Sequence, residues 1–155
     1  MSETKSLTKL GSKETKYLTD KPRPELLETF DNQHPKNLYV IPIEYIRFTS
    51  LCPKTHQPDG ADIHITYIPD KKCVESKSLK LYMFSFRNSG EFMEDIANRI
   101  MKDLIKATNP RYIEVYAKFI SRGDVFLRPF CNYYKDGVNK EKVNMILDRY
   151  HSLQK

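Results

Sequence analysis

Two stretches of this chain alternate strictly between apolar and polar residues, and between them lies a run with helical periodicity. In 61–68, Ile63, Ile65 and Tyr67 fall on one side and Asp62, His64 and Thr66 on the other. In 111–120, Ile113, Val115, Ala117 and Phe119 share a side in the same way. Such alternation predicts strands with one face buried and the other wet, the pattern of an antiparallel sheet. The intervening run 89–107 repeats Phe92, Ile96, Ile100 and Leu104 at helical spacing, with Met93, Ala97 and Met101 beside them. Asn88 followed by Glu91 reads as a capping box at its start, and Asn109-Pro110 stops it. A sheet with one apolar face and a helix with one apolar stripe must cover each other, so the class is α+β.

The remaining elements fit around this frame. Residues 38–51 are rich in β-branched and aromatic side chains, with Pro42 marking an edge or a bend. Arg122-Gly123-Asp124 reads as a turn into a last strand over about 125–133, and 139–151 as a short C-terminal helix. The segment 76–87 is ambiguous by periodicity, because Leu81-Tyr82-Met83-Phe84 is a continuous apolar run. Residues 1–37 are polar and broken by Pro22, Pro24 and Pro35, and read as an irregular arm anchored by a few apolar side chains. Residues 38–155 then form a single domain.

Composition removes several function classes. No apolar stretch approaches the roughly 20 residues of a membrane helix, and the Lys- and Thr-rich start has no signal-peptide core. Cys52, Cys73 and Cys131 form an odd set without metal spacing, so neither a disulfide framework nor a structural zinc is expected, and the default compartment is a reducing cytoplasm. The net charge of +6 suits a phosphate-bearing ligand, whether nucleic acid, nucleotide or cofactor. The five glycines are too scattered for a Rossmann or Walker loop. Binding of a dinucleotide would therefore fall to Lys and Arg side chains.

Chemistry concentrates in the loop Leu51 to Asp59, L-C-P-K-T-H-Q-P-D. Cys52 at its mouth and Asp59 at its end supply a thiol and a carboxyl, the pair needed for a nucleophile and a proton donor. The bland alternative is a buried, inert thiol and a turn-forming aspartate. His56 could lower the Cys52 pKa or be a solvated loop residue. Lys77 and Lys80 would share a helix face and could clamp phosphates, or merely solvate it. Arg122 at a hairpin tip is a further cation. Glu94 falls within the wide apolar arc of its helix, where a carboxylate needs a partner such as a guanine-like edge, unless it only complements the helix dipole.

Taken together, F-T-S-L-C-P-K-T-H-Q-P-D, V-E-S-K-S-L-K-L-Y, F-M-E-D, P-R-Y-I-E-V-Y and S-R-G resemble the QueF family, NADPH-dependent reductases of the nitrile 7-cyano-7-deazaguanine. The resemblance covers about 38–134, and more loosely the arm from Leu10. It implies a tunnelling fold (T-fold): a four-stranded antiparallel sheet with two helices on one face, in a homo-oligomer of edge-joined subunits forming a barrel, with stacked rings and sites between subunits. Ser76 to Arg87 would be the first helix. By position, Cys52 matches the nucleophile and Asp59 the general acid/base. Glu94, with Glu75 and Ser76, matches the substrate-binding set, and Lys77, Lys80 and Arg122 match NADPH phosphate binding. No metal is implied, and the queuosine tRNA modification that uses the product does not require contact with RNA. One departure stands out: Met93 occupies a place where the family usually has His. The competing readings are a single-stranded nucleic-acid binder, suited by the basic charge and ten tyrosines, and a zinc enzyme of the same fold acting on GTP or a pterin.

Overall fold

The computed structural model describes residues 16–154. The earlier part of the arm, including Leu10, lies outside the described residues. The alternating segments pair as expected. Strands β2 (Ile41–Leu51), β3 (Pro58–Ile68), β5 (Tyr112–Phe119) and β6 (Phe130–Tyr134) form an antiparallel sheet in the order β2-β3-β5-β6. Pro42 sits on β2, an edge strand, where its missing N–H leaves no interior ladder bond unmade. A bulge between Tyr45 and Phe48 puts Arg47 at φ +61°, with its amide donating to Asp62 Oδ1 at 3.1 Å. Beyond the bulge, Phe48 and Ser50 point into the protein.

A second sheet was not anticipated from sequence. Strands β1 (Thr29–Asp31) and β4 (Lys72–Val74) pair as a short antiparallel ribbon. Part of the N-terminal arm is therefore structured. Three-residue strands carry no readable alternation, so only tertiary pairing defines them.

Helix α1 (Ser76–Ser85) settles the ambiguous segment. Its N-cap is Glu75, whose two carboxylate oxygens accept from the amides of Lys77 (2.8 Å) and Ser78 (2.7 Å). Leu79, Tyr82, Met83 and Phe86 then join the core beside Phe48, Ile63, Ile65, Val115 and Ala117. Helix α2 (Met93–Thr108) contributes Ile96, Ala97, Ile100 and Leu104 to the same core, so both helices lie on one face of the sheet. Helix α3 (Lys140–Ser152) packs Val143 and Leu147 against Ile68 and Tyr112, which belong to the other strand parity. No helix of the described residues is long and apolar enough to cross a membrane.

Two boundaries differ from the sequence expectation. The capping box at Asn88 does not form: α2 starts at Met93 with Phe92 as an N-cap that makes no side-chain bond. Asn88 is instead tied to Thr19 through both its amide and its side chain, and Gly90 forms a parallel bridge with Leu51. Long-range bonds thus take residues 88–91 away from the helix. At the other end of the sheet, β6 begins at Phe130 rather than near Val125. Pro129 has no N–H to give the ladder, although its carbonyl and that of Leu127 still accept from Ala117 and Phe119.

Candidate active site

The Cys52 loop is closed on itself. Cys52 N–H donates to the Gln57 carbonyl at 2.9 Å, and His56 N–H donates to the Cys52 carbonyl at 3.0 Å. His56 takes a left-handed φ of +56° to complete the turn. The loop is pinned from behind as well: Leu51 exchanges backbone bonds with Ser89 (2.9 Å) and Glu91 (3.2 Å). Pro53 packs on Gly90, where an added Cβ would come within 3.1 Å of the Pro53 Cα. A larger residue here would require Pro53 to give by a few tenths of an ångström. The result is a rigid platform that holds Cys52 next to the start of α2.

Asp59 is brought to the same place by β3, and Arg122 by the turn after β5. Arg122 and Val125 pair across Gly123 (φ +53°) and Asp124 (φ +66°), two left-handed residues in succession that form a tight turn. The turn directs Arg122 back onto Asp59. Its Nε donates to Oδ1 at 2.6 Å and its Nη2 to Oδ2, a bidentate pair with Asp59 buried and Arg122 a third exposed.

Cys52, Asp59 and Arg122 line one cavity of about 220 Å³ with Pro53, Glu91, Phe92, Met93, Glu94, Val125 and Leu127. The Cys52 thiol is held down to about pKa 6, first by the Thr55 hydroxyl, then by the amides of Thr55 and Lys54 and by Arg122, against the opposing effect of burial. Cys52 is therefore a thiolate at neutral pH. His56 contributes a backbone bond to this loop, whereas the thiolate is held by its neighbours Thr55, Lys54 and Arg122. Cys131, by contrast, is pushed up by burial.

Alkylation should reflect this difference. Reaction of Cys52 with iodoacetamide, followed by peptide mapping, is expected to reach half its maximal rate near pH 6, well below the roughly 8.5 of a free thiol. Because the folded pKa is depressed, reactivity is present above pH 6 and lost as the pH falls through it. Thr55→Val is expected to move the midpoint upward, since it removes the largest stabilising group. An unchanged midpoint would contradict this assignment.

The other expected site residues divide between two places. Glu94 lies in the first turn of α2 and lines the cavity, but it is exposed rather than enclosed by the apolar arc. The helix opens onto the cavity at this end, so the facing apolar surface that periodicity implies is absent around Glu94. Met93 is buried in the cavity wall and Phe92 stands half-exposed beside it. Glu75, Ser76, Lys77 and Lys80 cluster instead at the start of α1, and none of them lines the Cys52 cavity. Glu75 is buried in its capping role. Ser76 and Lys80 border a separate apolar groove of about 750 Å³ with Tyr39, Ile43, Tyr45 and Leu79. The Lys80 ammonium lies 5.8 Å from the Tyr17 ring centroid. Arg122, grouped with these lysines by sequence, is placed with Asp59 and Cys52.

One residue that acts on the site was not singled out from sequence. Thr55 is an ordinary loop residue until the turn folds its hydroxyl toward the thiol. Outside the cavity lining, Ser50 stands across the β2–β3 ladder from Asp59, is 1% exposed, and its hydroxyl has no hydrogen-bond partner among the described residues.

The family profile described as QueF-like protein matches residues 58–138. The chain belongs to the QueF-like family. It is 57% identical over 139 residues to the NADPH-dependent 7-cyano-7-deazaguanine reductase of Bacillus cytotoxicus, covering 90% of this chain and 84% of that one. The enzyme of the same name from Bacillus mycoides is 55% identical over the same shares. Among solved structures, the apo archaeosine synthase QueF-Like aligns with a TM-score of 0.57 at 23% identity, over 64% of this chain and 96% of that one. That likeness supports the fold. Within the QueF-like family match lie Asp59, Glu75, Ser76, Lys77, Lys80, Glu94 and Arg122, whereas Cys52 precedes it and falls to the longer alignments.

Proposed function

We propose that this protein is an NADPH-dependent 7-cyano-7-deazaguanine reductase, converting the nitrile to 7-aminomethyl-7-deazaguanine for queuosine biosynthesis. The observation that carries the reading is the Cys52 thiolate facing the Asp59–Arg122 pair in one cavity. Its relatives named for that reaction, at 55–57% identity, supply the substrate.

The residues account for the chemistry. The thiolate of Cys52 adds to the nitrile carbon, one C–N π bond breaks, and the nitrogen takes a proton with Asp59 as the general acid. The product is a neutral thioimide on Cys52 and a carboxylate on Asp59, which Arg122 stabilises. NADPH, held by its phosphates, would supply two hydrides per substrate to that carbon, which with two protons convert nitrile to amine. Cys52 departs as a thiolate between the two reductions, and its low pKa makes it a good leaving group. Glu94 would accept N–H bonds from a guanine-like edge, with Phe92 and Met93 as an apolar wall, a reading supported by their shared position on the cavity lining. The thioether of Met93 gives that wall no ring nitrogen.

Lys77 and Lys80, one turn apart at the head of α1, fit the phosphates of the cofactor in donor type, and Lys80 is exposed. Within one chain these lysines border a different opening from the Cys52 cavity. A homo-oligomer in which a neighbouring copy brings its α1 to this cavity would complete the site, with β2 and β6 as the edges available for joining a T-fold barrel. Residues 38–155 then act as one catalytic unit and 1–37 as its arm.

The test is NADPH oxidation by the purified protein with and without the nitrile. Consumption that depends on the nitrile, at two NADPH per amine formed, is expected. A folded protein that consumes no NADPH in its presence would refute the reading.

A further inference from the structure

The outer face of α1 carries cations and rings whose arrangement the reaction scheme leaves unused. Lys80, Phe84 and Arg87 follow one another at helical spacing, the last just beyond the C-cap Phe86, and so stand in one row. Tyr17 of the arm lies across that row. Its ring meets Phe84 edge to face with centroids 4.9 Å apart, and the Lys80 ammonium lies 5.8 Å from its centroid. The Arg87 guanidinium lies 5.5 Å from the centroid of Phe84. Tyr17 is half exposed, and Lys80 and Arg87 are exposed. Neither cation has an ion-pair partner among the described residues. Arg23 and Arg99, by contrast, are each held by carboxylates.

The row adjoins the apolar groove of about 750 Å³, which Lys80 borders. Tyr45 of the groove wall feels both ends of the row: burial raises its phenol, Tyr17 raises it further and Arg87 lowers it. The carboxylate in the groove lining, Glu44, is on the opposite strand parity from Tyr45 and faces His64 at 3.5 Å. Exposed rings flanked by unpaired cations suit a ligand with an aromatic base and separated phosphates. A base stacks on such a ring, and a guanidinium can grip a phosphate through two parallel N–H bonds. An adenosine phosphorylated at the 2′ and 5′ positions of its ribose has this layout. We propose that Tyr17, Phe84 and Arg87 form the subsite for the 2′-phosphoadenosine end of the cofactor: adenine stacks on Tyr17, Arg87 grips the 2′-phosphate, and Lys80 lies toward the pyrophosphate. This subsite then separates NADPH from NADH, which lacks that phosphate. The identity of the cofactor rests on the reductase reading, but binding of the 2′-phosphoadenosine group does not depend on turnover.

Calorimetry on the full chain tests it, with adenosine 2′,5′-bisphosphate and 5′-AMP as probes. The wild type is expected to bind the bisphosphate about 10-fold more tightly. Arg87→Leu is expected to abolish that preference with 5′-AMP binding little changed. Tyr17→Leu is expected to weaken both probes by about 10-fold and keep the preference. In turnover, Arg87→Leu should raise KM for NADPH ~10-fold while KM for NADH stays near its wild-type value. Both substitutions are on the surface, and a Cys52 alkylation midpoint near pH 6 checks that each variant is folded. Equal binding of the two probes by the wild type, or a preference that survives Arg87→Leu, overturns the proposal. A wild type that prefers the bisphosphate but consumes no NADPH with the nitrile would refute the reductase reading and leave this subsite standing. Nitrile-dependent turnover with equal probe binding would do the reverse.

Discussion

Cys52→Ala is expected to lose nitrile-dependent NADPH oxidation by about 10⁴-fold or more, the scale on which removal of a covalent nucleophile acts. Among the described residues that line the cavity, the thiolate is the group poised to add to carbon at neutral pH: it is held near pKa 6 by Thr55, Lys54 and Arg122 on a loop locked by its own backbone bonds. Alanine cannot replace it, and water in its place lacks both the nucleophilicity and the low leaving-group pKa. Binding of the nitrile, measured by calorimetry, should persist, because Glu94, Phe92 and Met93 are untouched. Retained turnover would show that the nitrile is reduced without a covalent intermediate.

Asp59→Asn is expected to lower turnover by about 10²- to 10⁴-fold, the range of general acid catalysis. The amide keeps the size of the side chain but has no acidic proton for the nitrile nitrogen. The substitution has a second consequence of opposite sign. With the Asp59 charge gone, Arg122 loses its bidentate partner and its charge acts more fully on the Cys52 thiolate. The alkylation midpoint of Cys52 should therefore move below that of the wild type, even as turnover collapses. A variant that lost both turnover and thiolate reactivity would indicate a collapsed loop rather than a missing acid.

The sheet and the long helix could be read from the sequence because their periods are physical consequences of burying one face. Ile63, Ile65 and Tyr67 stand opposite Ala117, Val115 and Ile113 in the observed register. Helix α1 could not be read from periodicity, since its apolar run fits either period; the Glu75 cap decides it. The misplaced start of α2 has the reverse cause. Asn88 and Glu91 carry a capping pattern, but bonds to Thr19 and Leu51 compete for those residues and win.

At the site, Cys52 and Asp59 could be picked out by residue type and by the motif around them. Thr55 could not. The influence of Thr55 depends on how the Cys52–Gln57 turn closes. The grouping of Arg122 with Lys77 and Lys80 followed from charge and from the family resemblance. Its bond to Asp59 depends on the left-handed pair Gly123 and Asp124, which returns the chain toward β3.

The central claim is a covalent bond between Cys52 and the nitrile carbon. The most direct measurement is the mass of the intact protein after incubation with 7-cyano-7-deazaguanine in the absence of NADPH, with peptide mapping of the modified residue. An increase equal to one molecule of the nitrile, located on Cys52 and discharged when NADPH is added, is the predicted result. An unmodified Cys52 in protein that goes on to reduce the nitrile would contradict the account.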